Sequence, residues 1–304
     1  MSKNRDLTAA LVITTYNKPE LLELVLETAI RQKVAPHEII VADDGSKEET
    51  ERVVRKAAKE STVTIKHVWQ EDQGFRLNRS RNNAIAVAES EYITLIDGDC
   101  FLGERFIHDH LYFARPGRLV LGRRINIKKE AQKRILQTRN TRVNFFTRGT
   151  TRKSALIRSL ALAQLLSAYQ PDKSKDASVS LKWRWDGAFG ANMAFFRDDA
   201  IRVNGFNELW NHYGDDDLEF CVRLERNGVR RFKVRHYATN YHFQHDVHFG
   251  VVSEDKMLTP TTPEYLASVN KTQTRCVDAF GLTRALSQKS DPVVVEGCYE
   301  KYLF

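Results

Sequence analysis

Tyr92-Ile93-Thr94-Leu95-Ile96-Asp97-Gly98-Asp99 is an apolar run that stops in two carboxylates with a glycine between them. Read as a strand, it sends the side chains at i and i+2 out on the same side, so Asp97 and Asp99 converge. Gly98 lets another group come close to the backbone. Paired carboxylate oxygens suit Mg²⁺ or Mn²⁺, and such ions usually share their shell with a substrate's phosphates. An isolated Asp-x-Asp is more often a turn with solvated acids, so the weight of this one depends on its surroundings.

Working outward, strands alternate with helices. Residues 9–14 read as a buried strand, and residues 19–32 carry helical apolar spacing at Leu21, Leu22, Val25, Leu26 and Ala29. Pro19 suits the first turn of that helix. Residues 38–42 form a second strand, and Ser46-Lys47-Glu48-Glu49 is a capping-box pattern opening a helix to about Lys59. A strand over 63–69, a helix over 79–88 and the strand 92–96 follow. This alternation predicts an α/β fold with a mostly parallel sheet and helices on both faces. Ligands in such sheets bind beyond the carboxyl ends of the strands. Three polar clusters fall there: Thr14-Thr15-Tyr16-Asn17, Asp43-Asp44-Gly45-Ser46 and Asp97-Gly98-Asp99.

Each cluster also has a structural reading. Ser46 is accounted for as a helix cap, Asp43 and Asp44 as turn formers, Asn17 as a cap for the Pro19 helix, and Thr14 and Tyr16 as packing residues. The functional reading is that these groups hold a nucleotide base and ribose. Local sequence leaves both open; three polar strand ends on one edge favour function.

Composition narrows the classes. The chain has 304 residues, 42% hydrophobic and 28% charged, as in a globular protein with a sizeable core. No window approaches the ~18 consecutive apolar residues of a membrane span, and the first residues lack the apolar core of a signal peptide. Cys100, Cys221, Cys276 and Cys298 are scattered without a Cys-x-x-Cys, which predicts neither a disulfide framework nor a zinc site, and a cytoplasmic location. Between Arg123 and Arg158 stand twelve basic side chains against Glu130 alone, more than the whole-chain surplus of +8. The remainder is therefore mildly acidic, unlike a uniformly basic nucleic-acid binder. Only Phe145 and Phe146 interleave with those charges, which argues further against nucleic acid as a partner.

Val12-Ile13-Thr14-Thr15-Tyr16-Asn17, Val41-Ala42-Asp43-Asp44-Gly45-Ser46 and Asp97-Gly98-Asp99 resemble the nucleotide-sugar half of a family 2 glycosyltransferase with a GT-A fold. Gln73-Gly74-Phe75-Arg76 with Arg81-Asn82 resembles a stretch common in bacterial members. Gly190 to Phe195 resembles the acceptor-side strand, and Asn204-Gly205-Phe206-Asn207-Glu208 the GGF-[DN]-E segment. Tyr213-Gly214-Asp215-Asp216-Asp217-Leu218-Glu219 resembles the W-G-x-E-D-x-E motif of β-galactosyltransferases and chondroitin-type polymerases. The likeness runs from about residue 9 to 246. Tyr213 replaces the usual Trp, and Asp216 the usual, longer Glu; Asp215 is a further departure.

The resemblance implies a single GT-A domain over 1–250: a nucleotide-sugar half (1–100), a basic helical insertion (123–182) and an acceptor and catalytic half (183–250). Residues 251–304 form a C-terminal extension that packs on the domain or meets a partner subunit. A UDP-sugar donor is implied, held by Thr14, Tyr16, Asn17, Asp43, Asp44, Arg76, Arg81, Asp97, Gly98 and Asp99, with Asp44 on the uracil edge and Asp97 on the ribose. A divalent cation, Mn²⁺ or Mg²⁺, would be held by Asp99 with His242 or His245. Asp217 aligns with the catalytic acid of the family and becomes the general base, with Asp216 as the alternative; the bland reading makes these acids a helix-cap cluster. Asp217 precedes an amphipathic segment, so a helix N-terminus would favour its carboxylate form.

The activity implied is inverting sugar transfer to a glycan or glycolipid in bacterial surface polysaccharide synthesis, such as lipopolysaccharide or capsule. The alternative is a catalytically weak nucleotide-sugar-binding protein of the same fold. The basic insertion, extended by an amphipathic helix over 156–166, is either an anionic-membrane contact on the inner face of the cell membrane or a solvated helical face.

Overall fold

The computed structural model describes residues 7–141, 190–210, 214, 216–234, 237–243 and 280–304. The predicted alternation is present: β1 (Ala9–Thr15), α1 (Pro19–Ile30), β2 (Glu38–Asp43), α2 (Glu48–Glu60), β3 (Thr64–Trp69), α3 (Leu77–Val87) and β4 (Tyr92–Asp97). There follow β5 (Cys100–Leu102), α4 (Phe106–Phe113), β6 (Arg118–Leu121), β7 (Arg123–Ile127) and α5 (Lys129–Thr138). Beyond the basic segment come β8 (Met193–Phe196), α6 (Arg197–Arg202), α7 (Asp216–Arg226), β9 (Arg230–Lys233) and β10 (Thr239–Phe243). The chain closes with α8 (Leu282–Gln288), β11 (Val294–Glu296) and β12 (Tyr299–Leu303).

The large sheet runs β11-β12-β3-β2-β1-β4-β8-β6-β9. Its centre, from β12 to β4, is parallel, whereas β8 and the edge strand β11 run antiparallel to their neighbours. All seven residues of β1 are buried, as expected of a central strand covered on both faces. Its alternation divides the core. Ala9, Leu11 and Ile13 join Leu22, Val25, Leu26, Val54 and Phe106 on one face. Ala10 and Val12 join Ala84, Val87, Phe220, Leu224 and Leu282 on the other. Helices α1, α2 and α4 therefore cover one face, and α3, α7 and α8 the opposite one.

The last described residues belong to this core. β12 lies parallel to β3, with Tyr299 opposite Ile65 and Leu303 opposite Trp69. Leu282 and Ala285 of α8 are buried against the α3 side. Within the basic segment, Arg139 ends α5 in a left-handed conformation and pairs with Glu23 (2.9 Å) and Glu27 of α1. That arginine clamps α5 to the domain. The amphipathic stretch 156–166 lies outside the described residues.

A second sheet, β5-β10-β7, matters most for the site. β5 starts immediately after Asp99, and β10 inserts between β5 and β7 with His242 opposite Cys100. Phe101 stacks on Tyr241 at 5.1 Å, which fixes that register. Buried His110, pushed down to about 4 by desolvation and so kept neutral, meets Asn192, whose amide donates to the Ala238 carbonyl (2.7 Å) just ahead of β10.

Candidate active site

The carboxyl ends of β1, β2 and β3 form one half of the site. Asn17 adopts a left-handed conformation (φ 47°), which an asparagine tolerates better than most residues. Its N–H donates to Ser46 Oγ (2.8 Å), and its Oδ1 accepts from Lys47 N–H (3.0 Å), lacing the β1 loop to the β2 loop. This overturns the capping-box reading. The hydroxyl of Ser46 is taken by Asn17, and α2 begins behind Lys47 with no side-chain cap. Nor does Asn17 cap the Pro19 helix, which starts behind Lys18 uncapped.

Asp43 and Asp44 both point inward. Asp43, 1% exposed, accepts from Ser46 N–H (2.8 Å) through Oδ1 and meets His67 Nε2 (2.8 Å) through Oδ2. The other ring nitrogen of His67 faces the Tyr299 hydroxyl at 3.3 Å, so the C-terminal strand supports this aspartate. Asp44 accepts from Gln70 Nε2 (2.5 Å) and Arg76 N–H (2.8 Å), while burial pushes its carboxyl up to about 6. Gln70 is held in turn by Asn83 of α3 (2.9 Å). Gly45 (φ 93°) is required here, because a Cβ would stand 2.5 Å from Asp72 Cα.

The remaining predicted nucleotide residues lie around this frame. Tyr16 is 49% exposed and donates from its hydroxyl to Asp72 (3.0 Å). The Arg76 guanidinium folds back onto Gln73 and the Glu71 carbonyl. Thr14 sits at the other end, donating to Asp97 Oδ1 (3.1 Å).

At the Asp-x-Asp, the close approach permitted by Gly98 is that of the neighbouring strand. Gly98 N–H donates to the Thr14 carbonyl (2.7 Å), and a Cβ would stand 2.6 Å from that oxygen. Burial raises the pKa of Asp97, and the charge of Asp99 adds to this, while Arg81 and Arg124 oppose it. Asp99 faces Lys18 Nζ at 3.4 Å, His242 Nε2 at 3.6 Å and the Cys100 thiol at 3.5 Å. Ligand atoms of Asp97, Asp99 and Cys100 lie within 4.8 Å of one another. Two carboxylates that disfavour each other's charge, with imidazole and thiol alongside, are a donor set that a divalent cation fits. His245 lies outside the described residues, as do Tyr213 and Asp215.

The second half is built on α7. Asp216 and Asp217 occupy its first turn, and Arg81 reaches both from α3, Asp217 Oδ1 at 3.0 Å. Asp217 Oδ2 accepts from Gly190 N–H. Arg223, fully buried, forks onto Glu219 (2.7 Å) and donates to the Val203 and Gly205 carbonyls (2.6 and 2.7 Å). That locks α7 against the Asn204-Gly205 turn. The expected carboxylate-favouring effect of the helix N-terminus does not prevail. Desolvation first, then the charge of Asp216, pushes Asp217 up to about 7 although Arg81 opposes both. The side chain retains 17% exposure, although Oδ1 itself is buried.

The structure thus joins Thr14, Asp97, Asp99 and His242 in one group, and Arg81, Asp216 and Asp217 in another. Asp97 links them, since its charge acts on Asp217 and Arg81 alike. Sequence reasoning missed Lys18, His67, Gln70 and Cys100. Lys18 and Cys100 each adjoin a motif residue, the only signal that pointed to them.

The sequence profile described as Glycosyl transferase family 2 matches residues 10–168, and that described as the N-terminal domain of galactosyltransferase matches 174–246. The chain is 27% identical over 257 residues to a chondroitin synthase from Pasteurella multocida, covering 79% of this chain and 25% of that protein. It therefore spans about a quarter of the length of that relative. Its fold is similar to that of S. aureus TarS 1–349 in complex with UDP (TM-score 0.55, 14% identity, covering 96% of this chain and 68% of the other). It is also similar to that of the mannosyltransferase PcManGT from Pyrobaculum calidifontis in complex with GDP-Man and Mn²⁺ (TM-score 0.51, 18% identity, covering 79% and 58%).

Proposed function

We propose a specific activity from the premise that this chain belongs to glycosyl transferase family 2 and is a sugar-transferring enzyme with a GT-A fold. The activity is inverting transfer of a sugar from a UDP-sugar to a glycan or glycolipid acceptor. The observation that carries it is the pairing of two carboxylate groups across one sheet edge. Asp99 stands beside Asp97 and His242, whereas Asp216 and Asp217 stand beside Arg81.

Asp99 and His242, with Asp97, would hold a divalent cation. Such an ion, when bound, offsets the negative charge that develops on a departing nucleoside diphosphate. The protein groups do the rest. The frame of Thr14, Asn17, Asp43 and Asp44 supports the nucleotide at the carboxyl edge. Asp217 takes the proton of the acceptor hydroxyl on its carboxylate as that oxygen bonds to the anomeric carbon. The bond from that carbon to the diphosphate oxygen breaks in the same step, UDP leaves, and one displacement inverts the centre.

The chondroitin synthase relative supports a polysaccharide as the product class, and we extend this to a bacterial surface polysaccharide such as capsule or lipopolysaccharide. The basic stretch 123–158 supports peripheral contact with the anionic inner face of the cell membrane, where a lipid-linked acceptor would lie. Among the described residues no helix is long and apolar enough to cross a membrane.

The test is UDP release from a panel of UDP-sugars with and without Mn²⁺. The expected result is slow hydrolysis of one donor that needs the metal and accelerates with a glycan acceptor. Tight UDP-sugar binding with no release under any condition would instead make the chain a nucleotide-sugar-binding protein.

A further inference from the structure

Asp216 and Asp217 contact the guanidinium of Arg81, and the charge of Asp97 acts on it as well. Arg81 is 2% exposed, and its orientation is set from two sides. Nη1 donates to Asn78 Oδ1 (3.2 Å), and the guanidinium carbon lies 4.9 Å from the centre of the Phe206 ring. Nη1 also hydrogen-bonds to Asp216 and stands 3.0 Å from Asp217 Oδ1.

The two oxygens of Asp217 are treated differently. Oδ2 accepts from Gly190 N–H, whereas Oδ1 accepts no hydrogen bond although the guanidinium lies beside it. Oδ1 is therefore located by charge, buried and without a hydrogen-bond donor of its own. The space for this is left by Gly190, where a Cβ would stand 2.4 Å from both Arg81 Nη2 and Asp217 Oδ1.

We propose that Arg81 is a positioning residue for the general base: it aims the Asp217 carboxylate and supplies the counter-charge that lets Asp217 ionise beside Asp216. This rests on the reading of Asp217 as the base. Among the described residues, Asp216 on its own helix, Arg81 from α3 and the Gly190 amide adjoin Asp217, and the charge of Asp97 from β4 acts on it from further away. Three are charged, and among the described residues only Arg81 is positive. Removing it would leave acids in a largely buried site with no cation in contact among the described residues, which disfavours the charged form. Lysine would keep the charge but lose the fork that reaches two carboxylates from a fixed plane.

The experiment measures transfer rate against pH for wild type, Arg81→Gln, Arg81→Lys, Asp216→Asn and Asp217→Asn, with UDP affinity by calorimetry in Mn²⁺. Arg81→Gln is expected to move the ascending limb up by about 1–3 pH units, so activity lost at neutral pH returns in alkaline buffer. Arg81→Lys should keep the limb near its wild-type position with a lower plateau, and Asp216→Asn should move it down. UDP affinity should hold throughout. An Arg81→Gln limb that stays in place overturns the proposal, and weakened UDP binding with an unmoved limb would make Arg81 a nucleotide contact. If Arg81→Gln does not fold, an Arg81→Lys or Asp216→Asn limb contrary to these directions overturns it. Wild-type rate and limb in Asp217→Asn would instead remove the base assignment itself.

Discussion

The nucleotide edge and the catalytic edge both rest on paired aspartates, yet they treat them in opposite ways. Asp43 and Asp44 each have both carboxylate oxygens engaged by local donors: Ser46 and His67 for one, Gln70 and Arg76 for the other. Asp216 and Asp217 crowd a single arginine, and one Asp217 oxygen accepts no hydrogen bond. The first pair is a preassembled frame, because satisfied buried polar groups rigidify what they bind. The second is poised for proton transfer, because a carboxyl held near neutral pH can both lose and accept a proton at its working pH. Substitutions on the first edge should therefore register as stability, and on the second as rate.

The substitution with the largest expected effect lies between the two edges. Asp99→Ala should abolish transfer and the metal dependence of donor binding while leaving the folding midpoint in place. Its side chain answers Lys18 and His242 but also opposes the charge of Asp97, so the fold loses little. Full turnover in that variant, or in wild type with excess EDTA, would break the comparison at its centre.

His67→Phe sharpens it from the nucleotide side. The substitution leaves Asp43 Oδ2 buried without its donor, at a cost of about 1–3 kcal/mol of stability. Urea unfolding would show that loss, and the pH limb of transfer should not move. A shifted limb with unchanged stability would reverse the roles assigned to the two edges.

A smaller effect is expected on the basic segment. Reversing Arg134, Arg142 and Arg148 to Glu should weaken binding to anionic vesicles by about 1 kcal/mol per residue near the surface. Donor hydrolysis should be unchanged. Arg139 is left out because its guanidinium is committed to Glu23 and Glu27. Wild-type protein that ignores anionic vesicles at low salt would remove the membrane proposal.

What was legible in the sequence follows the range of the forces involved. Alternating apolar runs and turn residues specified the parallel sheet, since each strand and helix is read from its own few residues. Ser46 shows where local reading fails. Its capping pattern is complete within four residues, but Asn17, twenty-nine positions earlier, claims the hydroxyl. Asp217 shows the same for charge, because the local helix-end effect is outweighed by burial and by Asp216. The pairing of His67 with Tyr299 depends on β12 lying beside β3, a contact across 232 positions with no local signature. His242 reaches Asp99 through the register of β10 on β5, which motif spacing does not encode.

The central claim is that Asp217 is the base, and the pH dependence of transfer in wild type and Asp217→Asn tests it most directly. The folded protein holds this carboxyl at about 7, well above its ordinary 3.8, so the active ionised form accumulates only as pH rises through that value. Wild-type transfer should climb through about pH 7 and level above it. Asp217→Asn should bind UDP normally, transfer about 10²–10⁴-fold more slowly, and lose the climb. An Asp217→Asn enzyme that keeps its rate and its climb, with Asp216→Asn inactive instead, would contradict the account.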